Sequence, residues 1–254
     1  MFVAGGADPA PFEAWRGEIG CLLLHGFPGS PSEMRELGQY LADRDVSVIA
    51  PLLPGMGKEP AALHGVRWED WLRAAAKHLR RLQEHCAYTF VGGLSMGGAL
   101  ALYLAAEVPT AGLVAICPAI LLRNRFAALL PIAQHFLHWV ELGEDKDLRD
   151  PTAPQRQFYY TRVPAAAAAQ VYRLTKAAWK VAPSVRVPTL IVQSRHDGSL
   201  RSEGASALFA RLGTEDKHTL WLERSGHNAL IDVERETVFR EAYAFITARA
   251  RSEL

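Results

Sequence analysis

The sequence predicts an α/β fold in which a mostly parallel sheet carries helices on both faces. Short apolar runs alternate with amphipathic stretches in the first half of the chain, and the strand pattern returns near the end. From about residue 120 to 185 no strand interrupts the chain. We therefore expect a single domain, 1–254, with core segments at about 15–119 and 186–254 and a small helical cap inserted at about 120–185.

Six apolar runs account for the predicted sheet. They are IGCLLLH (19–25), VSVIAP (46–51), YTFVGGL (88–94), LVAICPA (113–119), TLIVQS (189–194) and HTLWLE (218–223). The first four have the length and the apolar continuity of strands that are buried on both faces, and the last two restore the pattern after the cap.

Helices are predicted between these strands. The segment Ser30-Pro31-Ser32-Glu33 has the pattern of a capping box with proline at the first helical position, and apolar residues at helical spacing follow it. A longer apolar stripe runs from residue 68 to 86, and a last helix is predicted from about Val233 to Ala250.

The composition limits the classes of partner. With 28 basic and 27 acidic residues, the net charge of +1 gives no reason to expect nucleic acid, so we expect a small molecule. The three cysteines are widely spaced in apolar surroundings, which favours reduced core residues over disulfides or a metal site. We see no secretory signal and no apolar run of the ~18 residues that span a bilayer. We expect a cytoplasmic protein without metal or cofactor.

Ser95 is the candidate nucleophile, at the centre of Gly93-Leu94-Ser95-Met96-Gly97. The pattern G-x-S-x-G has chemical meaning on a strand, turn and helix, where the serine occupies a strained turn with its hydroxyl exposed. Here YTFV precedes it as a strand and GGALALYLAAEV follows as a helix. A structural glycine-rich turn is the alternative, because the five-residue pattern alone is a weak signal.

His227 and Asp197 are the candidate base and acid. A serine needs a base that takes its proton and an acid that orients the base, in the chain order serine, acid, histidine for this type of turn. His227 follows the strand HTLWLE, and Asp197 follows TLIVQS by a short turn. The alternatives are a surface-loop histidine and an Asx turn before Gly198. Four other downstream residues fit the order less well: His196, His218, Asp216 and Asp232, the last a predicted helix N-cap.

An oxyanion site is predicted in the loop His25-Gly26-Phe27-Pro28-Gly29, which follows the first apolar run. One donor would be the backbone N–H of Met96, next to the nucleophile, and the other would come from this loop. Pro28 has no N–H, which points to Phe27. His25 could hold the loop by hydrogen bonds or could simply pack.

With these motifs the chain resembles the α/β-hydrolase superfamily and, more narrowly, the bacterial monoacylglycerol lipases and thermostable carboxylesterases. The segments that carry the resemblance are LLLHGFPGSPSEMRELGQYLA, GLSMGGAL, PTLIVQSRHD and LWLERSGHNALID. The resemblance implies a triad of Ser95, Asp197 and His227, an oxyanion hole from the N–H groups of Phe27 and Met96, and a cap over an acyl-chain tunnel. Two segments depart from the family pattern, Gly55-Met56-Gly57 and, after the acid, Gly198-Ser199-Leu200-Arg201.

These features predict a serine hydrolase that cleaves medium-chain acyl esters or monoacylglycerols through an acyl-enzyme, with activity falling below roughly pH 6.5 as the histidine is protonated. The candidate substrate contacts are Phe27, Phe126, Leu130, Phe136 and Trp139. About half of the cap's apolar residues could instead pack the cap on the core. Thioester or carbon–carbon bond hydrolysis with the same triad, and a ligand-binding receptor on a hydrolase scaffold, are the alternatives.

Overall fold

The structure is a computed structural model that describes residues 3–142 and 147–251. Its strands are β1 (Val3–Ala4), β2 (Phe12–Ala14), β3 (Ile19–Leu24), β4 (Val46–Ala50), β5 (Tyr88–Leu94), β6 (Gly112–Ile116), β7 (Trp139–Glu141), β8 (Tyr159–Tyr160), β9 (Arg162–Pro164), β10 (Thr189–Ser194) and β11 (Lys217–Leu222). Its α-helices are α1 (Ser32–Ala42), α2 (Trp68–Gln83), α3 (Met96–Glu107), α4 (Leu130–Ala133), α5 (Ala165–Val181), α6 (Glu203–Arg211) and α7 (Arg235–Arg251).

The central sheet has seven strands in the order β11-β10-β6-β5-β3-β4-β2. All neighbours are parallel except β2, which is antiparallel to β4. All six predicted strands are present in this sheet, so the predicted fold class is confirmed. The strand β2 was not predicted, because three residues are too few to show a strand period.

The first helix differs from its prediction at its N-terminus. Pro31 is the N-cap of α1, and no side chain caps the helix there. The carboxylate of Glu33 instead accepts a hydrogen bond from the backbone N–H of Gly26, at 3.0 Å. The predicted capping box is therefore wrong, because a tertiary contact takes the side chain that the local motif would use.

The insertion between β6 and β10 contains the long helix α5, but it is not free of strands. The short strands β7 and β9 pair with each other, and β8 pairs with β1. Our expectation that no strand interrupts residues 120–185 was wrong, because strands of two or three residues leave no periodic pattern.

The core lies on both faces of the central sheet. Every residue of β4 and of β6 is buried, as expected for inner parallel strands. Cys21, Cys86 and Cys117 are buried and unpaired, as predicted. Within the described ranges, no helix combines the length and the apolar character needed to cross a membrane.

Candidate active site

Ser95 occupies a tight turn between β5 and α3. Its backbone lies at φ 56° and ψ −115°, a region that costs a non-glycine residue on the order of 1–3 kcal/mol. A Cβ at Gly93 would lie 2.3 Å from the carbonyl oxygen of Gly97, and a Cβ at Gly97 would lie 2.0 Å from that of Leu24. Both flanking glycines are therefore required, since strand, turn and helix leave no room for a side chain.

Asp197 and His227 lie on the loops after β10 and β11, which are adjacent strands, and they are hydrogen-bonded. The Nδ1 of His227 is 2.8 Å from Oδ2 of Asp197, and Gln193 Nε2 donates to the same oxygen at 3.0 Å. The other oxygen, Oδ1, accepts the backbone N–H groups of Ser199 and Leu200 at 2.9 and 2.7 Å. Oδ1 therefore forms the Asx turn that was the alternative to the acid role, while Oδ2 contacts His227.

The two side chains shift each other's pKa. Burial lowers the pKa of His227, but the charge of Asp197 and its hydrogen bond outweigh burial and hold that pKa well above 6.5. Burial raises the pKa of Asp197, and the same attraction and hydrogen bond outweigh it and hold that pKa below its usual value. With the Nδ1 proton donated to Asp197, Nε2 is the ring nitrogen left to accept a proton.

Cys117 lies beside this pair. Its Sγ, a carboxylate oxygen of Asp197 and a ring nitrogen of His227 fall within 4.8 Å of one another, a spacing that could hold a metal ion. Burial raises the pKa of the Cys117 thiol, which disfavours the thiolate that a metal would need. Since Asp197 and His227 already bind each other, the arrangement suits packing better than metal binding.

The oxyanion candidates lie at the ends of β3 and β5. Among residues 3–142 and 147–251, no hydrogen-bond acceptor is found for the backbone N–H of Phe27 or of Met96. Met96 is the first residue of α3, where the helix dipole favours negative charge. Within the part of the chain that the structure describes, both N–H groups therefore remain candidate oxyanion donors.

His25 holds this loop by hydrogen bonds. Its Nδ1 is 2.8 Å from the carbonyl oxygen of Gly26, and its Nε2 accepts the N–H of Leu53 at 3.2 Å. Burial lowers the pKa of His25 to about 4, so the ring is neutral, with its proton on Nδ1. Together with the bond from Gly26 to Glu33, these contacts hold the loop from both sides.

Ser95 and His227 open into one cavity of about 520 Å³. Its remaining walls come from the oxyanion loop, from the acid and histidine loops and from the cap, and the cap contributes Leu142, Asp147, Gln157, Tyr159 and Tyr160. Two buried polar atoms, Gln157 Nε2 and Asn228 Oδ1, have no hydrogen-bond partner within the described ranges. These two atoms are not accessible from the cavity surface, but the residues that line the cavity are both polar and apolar.

Phe27 lines this cavity, but the four cap residues that we expected to contact substrate do not. Phe126 and Phe136 are 70% and 83% exposed. Leu130 is half-buried, and Trp139 packs against the ring of His64. The helix α4 has only four residues, which is too short to bury a continuous apolar stripe, and none of its residues is buried. Tyr159 and Tyr160 are cap residues that do line the cavity, and the aromatic run at 158–160 was the sequence signal that could have identified them.

Known proteins resemble this chain along nearly its whole length. A carboxylesterase of Bacillus subtilis (strain 168) is 29% identical over 94% of this chain and 96% of its own. A thermostable monoacylglycerol lipase of Bacillus sp. (strain H-257) is 29% identical over 98% of this chain and 97% of its own. A solved structure from work on LipS and LipT, two metagenome-derived lipolytic enzymes, has a TM-score of 0.89 at 30% identity, covering 96% of this chain and 99% of that one.

The family model that matches is Hydrolase_4, described as serine aminopeptidase S33, and it covers residues 19–234. That span reaches from β3 through the histidine loop and so includes six of the seven strands of the central sheet, the cap and all of the candidate triad. The chain belongs to this serine aminopeptidase S33 family and has the α/β-hydrolase fold.

Proposed function

We propose that the protein hydrolyses carboxylic esters through an acyl-enzyme intermediate, with medium-chain acyl esters or monoacylglycerols as substrates. Hydrolysis of esters agrees with the carboxylesterase and the monoacylglycerol lipase that align with nearly the whole chain. The observation that carries the proposal is the 2.8 Å contact between Asp197 and His227 at a cavity that Ser95 also lines.

The reaction proceeds in two steps at Ser95. His227 Nε2 takes the proton of the Ser95 hydroxyl while its oxygen attacks the ester carbonyl, and the N–H groups of Phe27 and Met96 stabilise the oxyanion. His227 then gives the proton to the leaving alcohol. Water, activated by the same histidine, hydrolyses the acyl-enzyme. Each oxyanion donor contributes ~3 kcal/mol to transition-state stabilisation.

The cavity supports an ester of modest size that has both polar and apolar parts. Its volume of about 520 Å³ lies within the range of small-molecule sites. Its lining includes the polar residues Gln157, Ser199 and Asn228 beside the apolar ones. Leu142 and the tyrosines at 159–160 supply surface for the acyl chain.

The proposal extends to partner and compartment. A net charge of +1 supports a small ester rather than nucleic acid as the partner. Three buried, unpaired cysteines support a reducing compartment, and we assign the enzyme to the cytoplasm.

A series of p-nitrophenyl esters, from acetyl to palmitoyl, tests the reaction. The wild type should release p-nitrophenol at least ~10⁴-fold faster than Ser95→Ala, because the nucleophile is lost. Ser206→Ala, which changes an exposed serine of α6, is the matched control. A wild type no faster than Ser95→Ala would support the receptor alternative. Faster cleavage of the matching acyl thioesters would support a thioesterase.

A further inference from the structure

Asp147 belongs to the cap, but its side chain binds the loops of both the acid and the base. Its Oδ2 accepts the backbone N–H of Gly198 at 2.6 Å and the backbone N–H of His227 at 2.9 Å. Gly198 directly follows Asp197. One carboxylate oxygen of the cap therefore joins the backbones that carry the two members of the hydrogen-bonded pair.

The backbone of Asp147 also packs closely on these loops. A Cβ at Gly226, next to His227, would lie 1.4 Å from the carbonyl oxygen of Asp147. A Cβ at Gly198 would lie 2.9 Å from the Asp147 carboxylate. Both loops thus have glycine where the cap lies against them, and at Gly226, which meets the Asp147 backbone, no larger residue would permit this approach.

A second carboxylate, that of Asp232, anchors the same piece of cap. Its Oδ1 accepts the N–H groups of Arg149 and Asp150 at 2.9 and 2.7 Å, and its Oδ2 accepts the N–H of Gly226 at 2.7 Å. The prediction that Asp232 is a helix N-cap is wrong, because α7 begins at Arg235 and the Asp232 carboxylate binds the cap and the histidine loop instead. The cap at 147–150 and the histidine loop are held to each other through two side chains.

The carboxylate of Asp147 is costly where it lies. Its side chain is 18% exposed, and burial together with the nearby charge of Asp197 raises its pKa. The N–H groups of Gly198 and His227 partly offset that effect. Its Oδ1 also lies 4.0 Å from a guanidinium nitrogen of Arg149, so one cation and two N–H groups stabilise this carboxylate against burial and the charge of Asp197.

We propose that Asp147 is a positioning residue. Through it, the alignment of Asp197 with His227 depends on how the cap packs against the acid and histidine loops. By binding the His227 backbone and the turn after Asp197 through one atom, it sets the separation of the two loops. This inference rests on the proposed function, because the alignment matters for turnover only if His227 serves Ser95.

The test compares Asp147→Ala with Asp147→Asn. The alanine variant should lower kcat roughly 10- to 100-fold with little change in KM, because two hydrogen bonds to the loops are lost. The asparagine variant should keep most of the activity, since its amide oxygen can accept both N–H groups. Rates are divided by the active sites counted from the p-nitrophenol burst, so that unfolded protein does not contribute. Asp216→Asn removes a carboxylate that binds Arg249 and His218 instead, and it serves as the control.

A second readout does not need turnover. The proton NMR resonance of the His227 Nδ1–H reports the hydrogen bond to Asp197, and it should shift or broaden in Asp147→Ala but not in Asp147→Asn. Wild-type kcat and an unchanged resonance in Asp147→Ala would overturn the inference, as would equal losses in both variants. If the alanine variant does not fold, Asp147→Ser, whose hydroxyl is too short to reach both loops, is expected to show the same loss. Failure of the wild type to cleave esters would instead overturn the proposed function and leave the NMR result interpretable.

Discussion

The loops of the sheet and the outer part of the cap differ in which side chains they bury and which they expose. The loops after β3, β5, β10 and β11 hold buried polar groups in dense hydrogen bonds. The cap exposes a set of large apolar side chains: Phe126, Leu129, Ile132, Phe136 and Leu137. The difference teaches that the apolar surface of the cap is a poor guide to the site. The cap lines the site instead with other residues, both polar (Asp147 and Gln157) and less polar (Leu142 and the tyrosines at 159–160).

Removing the charge of Asp197 should give the largest loss of kcat among these variants. Asp197→Asn is expected to lower kcat roughly 10⁴-fold, because an amide cannot hold the reactive tautomer of His227 or stabilise its charged form. Initial rates with the best p-nitrophenyl ester measure this loss. A loss below tenfold would mean that another group orients His227.

The pH profile of the same variant sharpens this result. His227 must be neutral to act, and Asp197 holds its pKa above 6.5, so wild-type kcat/KM should fall as the pH decreases through that raised value. In Asp197→Asn the raising charge is gone, so the fall should move to lower pH. Asp216→Asn is the control, and its profile should match the wild type.

A smaller loss is expected at the oxyanion loop. Glu33→Ala leaves the N–H of Gly26 without its carboxylate partner, which costs about 1–3 kcal/mol and loosens the residue before Phe27. We expect kcat to fall about tenfold, with a smaller loss in Glu33→Gln, which keeps an acceptor oxygen. Ester kinetics and urea unfolding measure the two effects. Glu107→Ala, at an exposed position of α3, is the control, and an unchanged kcat in Glu33→Ala would contradict this account.

The smallest effect is expected on the outer face of the cap. Phe136 is 83% exposed, so Phe136→Ala should change the free energy of unfolding by less than about 0.5 kcal/mol and leave kcat/KM for short esters unchanged. The buried Phe90 of β5 is the matched comparison, and Phe90→Ala should cost about 3–5 kcal/mol. Equal losses in the free energy of unfolding at the two positions, measured by urea unfolding, would contradict the difference in burial between the outer cap and the core.

Much of the site was predictable because its pieces are local. The turn at Ser95 follows from glycines, a preceding strand and a following helix, all within a few residues. Asp197 and His227 could be chosen by their places after two strands. That one carboxylate would serve both an Asx turn and His227 was not predictable, because the second contact joins segments 30 residues apart.

The contacts of the cap could not be predicted from the sequence. Its strand β8 pairs with β1 at the other end of the chain, and Asp147 binds loops after β10 and β11. Neither contact has a local period or motif. The four candidate substrate residues of the cap were chosen as apolar, but an apolar pattern indicates only that a side chain can be buried, not what covers it.

The sequence alone determined six strands of the central sheet, most of the helices and the chain order of serine, acid and histidine, because periodicity and glycine spacing act between near neighbours. Only the tertiary structure decided that Glu33 binds the backbone N–H of Gly26, which cap residues reach the cavity, and that Asp147 joins the acid and base loops. These outcomes depend on segments that meet only when the sheet is assembled and the cap is packed on its loops.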